Sequence, residues 1–200
     1  GTEDTKLVFD GNAQDFHIGL DDTADSLVLG LGSTLGTTTH IKMDATGAVT
    51  KPLQPSFYAY NTGTQTFTSG DWTEVTWSAE RHDINSDFDL AGERFTCPVA
   101  GVYLFHVKLL VQALGTTDAT SVNCGLYKNG SISDELIRRT ATTGVALADN
   151  ETIAWVDASS IQNAAADDYY EVFLYHNTGS DSVAVNWGNG YASFSGVLLG

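Results

Sequence analysis

From residue 56 onward the chain alternates between apolar and polar positions at the spacing of β-strands. Between Tyr103 and Val111 every odd position is apolar, while His106 and Lys108 occupy even positions. Successive side chains of a strand point to opposite faces, so this period of two predicts a strand with one buried face. Pro98 and Gly101 precede it and predict a tight corner. A similar strand is expected at residues 191–199, next to the C-terminal end.

Ten strands are predicted in this part of the chain, and no long segment has the apolar spacing of an amphipathic helix. The Lys128-Asn129-Gly130 sequence predicts a two-residue hairpin, because Asn-Gly readily adopts the positive φ angles of a type I′ turn. Many short strands without crossover helices indicate an all-β protein with a ten-stranded jelly-roll β-sandwich. The strands are expected at residues 56–61, 73–78, 92–96, 102–113, 122–128, 135–142, 151–158, 169–177, 183–187 and 191–199.

Residues 1–50 have a different texture and are predicted to form a separate β-rich shaft. Short strand candidates at 7–12, 16–20, 26–32 and 40–44 are separated by Gly, Asp and Thr turns. Because a lone hairpin is marginal in water, such strands gain stability when several chains share their apolar faces. Pro52 and Pro55 then predict a stiff, extended connector over residues 51–55, before a head at 56–200.

The charge of the chain restricts its partners. Nine Lys and Arg stand against 25 Asp and Glu, which gives a formal net charge of −16 at pH 7. Such a surface repels nucleic-acid backbones and anionic lipid, so neither is an expected partner. No apolar window is long enough to insert into a membrane. The start at Gly1, without an initiator Met, leads us to expect a piece of a longer protein.

Two cysteines and one acidic string are candidates for special chemistry. Cys97 and Cys124 are too few for a disulfide scaffold, and both buried thiols and a bridge between neighbouring strands fit the pattern. Asp83, Asn85 and Asp87 begin like a calcium loop, which makes Ca²⁺ a candidate cofactor. The string then departs from that pattern, since Phe88 and Arg94 replace the required Gly and Glu. A structural turn is the alternative.

Aromatic side chains are the candidates for receptor contact. The four tryptophans are suited to stacking on sugars, although aromatic residues also fill the cores of sandwiches. Trp187 lies in the most loop-like context, so we predict a contact site at Trp187, Asn189 and Tyr191. No catalytic motif accompanies it: the five histidines have no ligand spacing, and no G-x-S-x-G elbow occurs. No catalytic residue is therefore predicted. The tryptophans are Trp72, Trp77, Trp155 and Trp187.

Three segments together resemble the complement C1q-like domain of the C1q/TNF superfamily. They are residues 95–105 (FTCPVAGVYLF), 126–130 (LYKNG) and 191–199 (YASFSGVLL). Residues 56–60 (SFYAY) resemble the first strand of that family, and 168–174 (DYYEVFL) its penultimate strand, with Asp167 where the family has Gly. The resemblance spans nearly all of residues 56–200 and implies a C1q/TNF-like jelly roll.

A second resemblance concerns the N-terminal part. Residues 9–21, 29–36 and 50–55 look like segments of bacteriophage tail-fibre proteins, in which a thin trimeric shaft carries a globular head. The resemblance implies a virion protein at the tip of a tail fibre, which is extracellular when it acts. We therefore predict a non-enzymatic homotrimer that binds a host cell-surface glycan or protein. The alternatives are a tailspike-like polysaccharide depolymerase and a secreted bacterial C1q-like ligand.

Overall fold

A computed structural model describes residues 3–112, 120–141, 145–146, 152–177, 183–185 and 191–200. In these ranges every regular element is a strand, so the part of the chain described holds no helix that could cross a membrane. The chain divides into two compact units, Gly1–Gln54 and Pro55–Gly200. The division falls inside the predicted connector. That segment is not fully extended, because Gln54 N donates to Lys51 O at 3.1 Å and closes a turn.

The first unit is a five-stranded antiparallel sheet in which each strand pairs with its sequence neighbour. Short Gly- and Asp-containing turns link the strands: at one of them the Asp44 carboxylate accepts the amides of Thr46 and Ala48, at 2.9 and 3.0 Å. The four strands expected from the sequence are present, and a short fifth strand completes the sheet. The strands are β1 (Thr5–Phe9), β2 (Phe16–Asp21), β3 (Ser26–Leu31), β4 (Thr39–Asp44) and β5 (Val49–Thr50).

One face of this sheet is made almost wholly of apolar side chains, and we call it the N-terminal apolar face. Directly paired residues share a face, and the register places Thr5 and eleven apolar residues on this one. Nine of the eleven are exposed, by 38% to 58%. Its apolar members are Leu7, Phe9, Phe16, Ile18, Leu20, Leu27, Leu29, Leu31, Ile41, Met43 and Val49.

The opposite face of the same sheet is covered from within the unit. His17 and Val28 of this face are buried, and so is Leu35 in residues 32–38, which connect β3 to β4. The Nδ1 atom of His17 lies 2.8 Å from the carbonyl oxygen of Gly32. The unit thus buries residues on this face by itself, whereas the N-terminal apolar face stays exposed.

The second unit is a sandwich of two antiparallel sheets. The six-stranded sheet has the order β10-β11-β17-β13-β14, with β8 also paired to β17. The eight-stranded sheet has the order β15-β16-β12-β19-β6-β9, with β18 paired to β12 and β7. The strands are β6 (Ser56–Tyr60), β7 (Gln65–Phe67), β8 (Thr73–Glu74), β9 (Ala79–Asp83), β10 (Phe88–Asp89), β11 (Arg94–Thr96), β12 (Gly101–Gln112), β13 (Thr120–Lys128), β14 (Ser131–Ala141), β15 (Val145–Ala146), β16 (Thr152–Ala164), β17 (Tyr169–His176), β18 (Val183–Val185) and β19 (Ala192–Leu198).

Alternation along these strands places an aromatic core between the sheets. Phe57 stacks on Phe95 with ring centroids 4.5 Å apart and meets the edge of Phe194 at 4.9 Å. Phe105 packs on Tyr170 of the facing sheet at 4.5 Å. All five rings are buried, at 0% or 1% exposure. This core confirms the predicted all-β sandwich and the predicted buried faces of β12 and β19.

Two predictions about strands needed correction. The described part of the second unit has fourteen strands rather than ten. Strands β7, β10 and β15 are too short to produce a sequence pattern, and β9 is made mostly of charged and polar residues. The strand expected at 73–78 ends at Glu74. The chain then changes sheets: Val75 N donates to Val172 O in the six-stranded sheet, and Ser78 N donates to Tyr60 O in the eight-stranded one.

Candidate functional site

The outward face of the six-stranded sheet carries a row of aromatic rings. On β13 and β17 the inward positions, such as Cys124, Leu126 and Leu174, are fully buried. The alternate positions therefore point away from the core, among them Tyr127 and Phe173. An outward row of large rings is unusual, because polar side chains normally occupy the solvent side of a sandwich.

Four rings on this face form a continuous surface, which we call the aromatic platform. Tyr127 stacks on Phe173 with centroids 4.1 Å apart. Trp72 meets the edge of Tyr127 at 6.1 Å and lies tilted against Tyr175 at 5.5 Å. Each of the four rings is half-buried, so part of each is accessible. The platform is therefore Trp72, Tyr127, Phe173 and Tyr175.

Strand pairing and one glycine bring these rings together. Trp72 immediately precedes β8, whose Glu74 lies opposite Phe173 of β17, and this carries Trp72 to the level of Tyr175. Gly125 lies opposite Phe173 on the other side, in β13. A Cβ at Gly125 would lie 3.1 Å from Tyr127 Cε2 and 3.2 Å from Trp72 Cζ3. The absence of a side chain at Gly125 is what lets the rings converge.

Acidic and amide side chains lie among the rings. Burial raises the pKa of Glu74 to about 7, with further contributions from the negative charges of Glu171 and Glu93. Burial also raises the pKa of Glu171, while the positive charge of Arg94 opposes that shift. Among the described residues, no hydrogen-bond partner reaches the buried Glu74 Oε1 or the buried Asn123 Oδ1. The platform therefore contains two acceptor atoms that need donors.

The tryptophans predicted as contact candidates lie in different parts of the structure. Trp77 is 3% exposed and belongs to the core, whereas Trp72 is part of the platform. Trp155 lies on the eight-stranded sheet, with Lys108 Nζ 5.2 Å above its ring. Trp187 and Asn189 lie outside the described residues. Tyr191, the third predicted contact residue, is 43% exposed and packs edge-on against Trp155 at 5.8 Å.

The predicted metal string forms a tight turn between β9 and β10. The two carboxylate oxygens of Asp83 accept the amides of Asp87 and Phe88, each at 3.1 Å. Asn85 and Ser86 have φ angles of 69° and 60°, in the left-handed region. The part of the chain described contains no group of three or more His, Cys, Asp or Glu placed to hold a metal ion. Ca²⁺ at Asp83, Asn85 and Asp87 stays a prediction, and the geometry gives Asp83 a structural role in the turn.

Cys97 and Cys124 are free and buried in the core. Burial raises the pKa of the Cys97 thiol to about 12 and also raises the pKa of the Cys124 thiol. Both thiols are therefore neutral at physiological pH, and the structure has them as packing residues rather than as a bridge.

The outward face of the eight-stranded sheet offers a second surface. Tyr58, His106 and Ser195 contribute to a shallow groove of about 250 Å³. Arg81 lies over the rings of Tyr58 and Tyr60, at 4.9 and 5.7 Å from their centroids. His106 Nε2 lies 2.8 Å from Asp157 Oδ1 on the neighbouring strand. This face mixes aromatic, apolar and paired charged groups.

Sequence reasoning did not select the aromatic platform. The sequence favours Trp187 over Trp72 as the contact residue, and it indicates only strand positions for Tyr127, Phe173 and Tyr175. One signal was present: in residues 169–176 aromatic side chains occupy both sets of alternating positions, so some of them must lie outside the core.

No protein-family model matches the sequence. Solved structures do resemble the chain. The globular domain of zebrafish complement 1qA protein superimposes with a TM-score of 0.51 at 17% identity, covering 74% of this chain and 98% of that one. Murine APRIL, in crystals at pH 8.5, gives a TM-score of 0.50 at 13% identity, covering 73% and 99%. The identity is low, so the likeness concerns the fold: this all-β chain contains a C1q/TNF-like jelly roll.

Proposed function

We propose that the protein is a non-enzymatic, homotrimeric binding head that attaches to a receptor on a cell surface. In this proposal the second unit presents the receptor-contact surface, and the first unit helps to hold three chains together. Receptor contacts that are weak in one chain become strong when three linked copies engage the same surface.

The observation that carries the proposal is the N-terminal apolar face. This face consists of eleven apolar residues and Thr5, and none of its residues is Asp, Glu, Lys or Arg, although the chain as a whole is strongly acidic. Monomeric soluble proteins rarely expose a contiguous apolar patch beyond a few hundred Å². Copies of the same uncharged face can cover one another, whereas an anionic membrane would be repelled by the net charge of −16.

The C1q/TNF-like fold supports the second part of the proposal. A β-sandwich holds surface residues on rigid strands, so a contact surface such as the aromatic platform is preorganised before it meets a receptor. The proposed partners are a second and third copy of the chain and a host-surface glycan or protein. Nucleic acid and membrane insertion are not part of the proposal.

We further propose that this assembly forms the tip of a bacteriophage tail fibre and so belongs to the virion. Support comes from the order of the two units, a small β-sheet unit followed by a jelly-roll head, together with the tail-fibre-like segments in residues 9–55. Electron microscopy of virions labelled with an antibody to the head tests this placement. Label at the fibre ends is expected, and label elsewhere on the particle or none would contradict it.

Light scattering and cell binding test the core of the proposal. A mass three times the chain mass of 21.3 kDa is expected. Retention of the labelled protein on candidate host cells is expected as well. A monomer at micromolar concentration, or no retention on any candidate cell, would contradict the proposal. Release of reducing sugar from purified surface polysaccharide would overturn its non-enzymatic part.

A further inference from the structure

We propose that the aromatic platform is a carbohydrate-binding site and that its ligand is a neutral glycan. This inference deepens the proposed function and rests on it, because it names the chemical class of the receptor. The site comprises Trp72, Tyr127, Phe173 and Tyr175, with Glu74 and Asn123 as hydrogen-bonding groups.

The shape of the platform suits sugar rings. The rings of Trp72 and Tyr175 lie 5.5 Å apart at a 40° tilt, and Tyr127 continues the surface at 6.1 Å from Trp72. The face of an aromatic ring is electron-rich, and the C–H bonds on the flat side of a pyranose are weakly positive. A half-buried, rigid row of rings can therefore take successive sugar units with little loss of side-chain entropy.

The polar atoms at the platform match the hydroxyl groups of a sugar. Glu74 Oε1 and Asn123 Oδ1 are shielded from water and have no donor among the described residues. An unpaired buried acceptor costs about 1–3 kcal/mol, so a ligand that brings donors recovers part of that cost. Because both oxygens are shielded from water, the two side chains must rotate when a ligand binds. Sugar hydroxyls donate readily, which favours a polyhydroxylated ligand over a purely apolar one.

The carboxylates that act on Glu74, together with the net charge of the chain, disfavour acidic glycans. The negative charges of Glu171 and Glu93 add to the effect of burial in raising the pKa of Glu74. The positive charge of Arg94 lowers the pKa of Glu74 and of Glu171, against the effect of burial. A uronate or sialic acid would meet this field and the overall charge of −16. Neutral hexoses and their N-acetylated forms carry no such penalty.

Three variants separate a sugar site from a structural cluster. Trp72→Ala removes a stacking ring. Gly125→Ala keeps all four rings but places a methyl group 3.1 Å from Tyr127 and 3.2 Å from Trp72 and Ile132, so these side chains must shift to make room for it. Tyr169→Ala is the matched control. Tyr169 is a half-buried aromatic residue of β17, the strand that carries Phe173 and Tyr175, and Arg94 lies 4.8 Å from the centre of its ring. It lies outside the platform. Each variant is first checked by circular dichroism and by its light-scattering mass.

The probes are an array of immobilised neutral oligosaccharides, with alginate and hyaluronan as acidic comparisons, followed by calorimetric titration of the strongest binder. Wild-type protein is expected to bind neutral glycans and not the acidic ones. Trp72→Ala and Gly125→Ala should weaken binding by about tenfold or more, and Tyr169→Ala by less than about twofold. If Trp72→Ala misfolds, Gly125→Ala alone decides. Equal affinity of the platform variants and the wild type, or preference for the acidic glycans, would overturn the proposal.

Cell binding distinguishes this inference from the broader function. The protein should no longer bind host cells whose glycans have been oxidised with periodate, and it should still bind cells treated with proteinase K. The reverse result would overturn the carbohydrate class and leave a protein receptor in its place. Binding to the array without binding to any cell would keep the glycan site and reject the cell-surface function. Binding to neither would reject both.

Discussion

Replacing Ile18 by Asp tests whether the N-terminal apolar face holds the chains together. Ile18 lies in β2 at the middle of this face, paired with Leu7 on one side and Leu29 on the other, and it is 39% exposed. The substitution changes an exposed side chain of a sheet whose other face is already packed. We therefore expect the subunit to fold and the assembly to weaken.

The magnitude follows from the exposure of the face. Fully burying a Leu, Ile, Val, Met or Phe side chain contributes about 1.5–3 kcal/mol, so a side chain that is still half exposed has about 1 kcal/mol to gain. Summed over the face, association offers up to about 10 kcal/mol per chain, which must exceed an association cost of about 4–15 kcal/mol. Asp at position 18 forgoes that gain and buries an unpaired carboxylate, for a total loss of about 3 kcal/mol per subunit.

A dilution series followed by light scattering measures this loss. For a trimer the midpoint concentration scales as the square root of the dissociation constant, so a loss of about 3 kcal/mol in each subunit raises it about a thousandfold. Thr50→Asp is the matched control, because Thr50 is exposed and pairs with Lys42 on the opposite face of the sheet. Equal midpoints for Ile18→Asp and Thr50→Asp, with both proteins folded, would refute the reasoning.

Two further variants test the head. Glu74 has its pKa raised to about 7, so its penalty is absent below about pH 4.5, grows between pH 4.5 and about 7, and is fully present and constant above that. Glu74→Gln should therefore raise the free energy of unfolding, measured with denaturant, by about 1–2 kcal/mol at pH 8 after allowance for solvent screening. At pH 4 the variant and the wild type should have nearly the same free energy of unfolding. An equal gain at both pH values would contradict this. Gly196→Ala should cost about 1–3 kcal/mol in urea unfolding, because its Cβ would lie 2.6 Å from Phe57 Cε1 and 2.7 Å from Phe105 Cδ1. An unchanged urea midpoint would contradict this prediction and show that Phe57 and Phe105 shift to make room for the methyl group.

The strands that could be predicted are those whose environment has two distinct faces. β12 and β19 alternate between core and surface, and the Asn129-Gly130 turn has the φ angles of 53° and 75° that its sequence predicts. Asp167 stands where the C1q-like family has Gly, and its φ of 68° is a conformation that Gly usually supplies. In these places local chemistry alone determines the backbone.

The elements that could not be predicted depend on contacts distant in sequence. Strand β9 carries Glu80, Arg81 and His82, which have no β-strand signature, and it forms because it pairs with β6 at the edge of the sheet. The platform likewise requires Trp72 to reach β13 and β17, about 50 and 100 residues away. Composition could indicate that aromatic side chains exceed what a core needs, but only the register identifies which ones lie outside.

Charge and apolar surface act against each other in this chain, and salt reveals the balance. Each chain carries a net charge of −16, so association brings like charges together, while the N-terminal apolar face itself holds no charged side chain. Raising the salt from about 0.01 to 0.5 M shortens the Debye length from about 30 Å to a few Å and so screens the repulsion. Because there are no ion pairs across this face to weaken, salt should lower the midpoint of dissociation. A midpoint that rises with salt would mean that charged contacts hold the chains together, and the apolar face would then lose its assigned role.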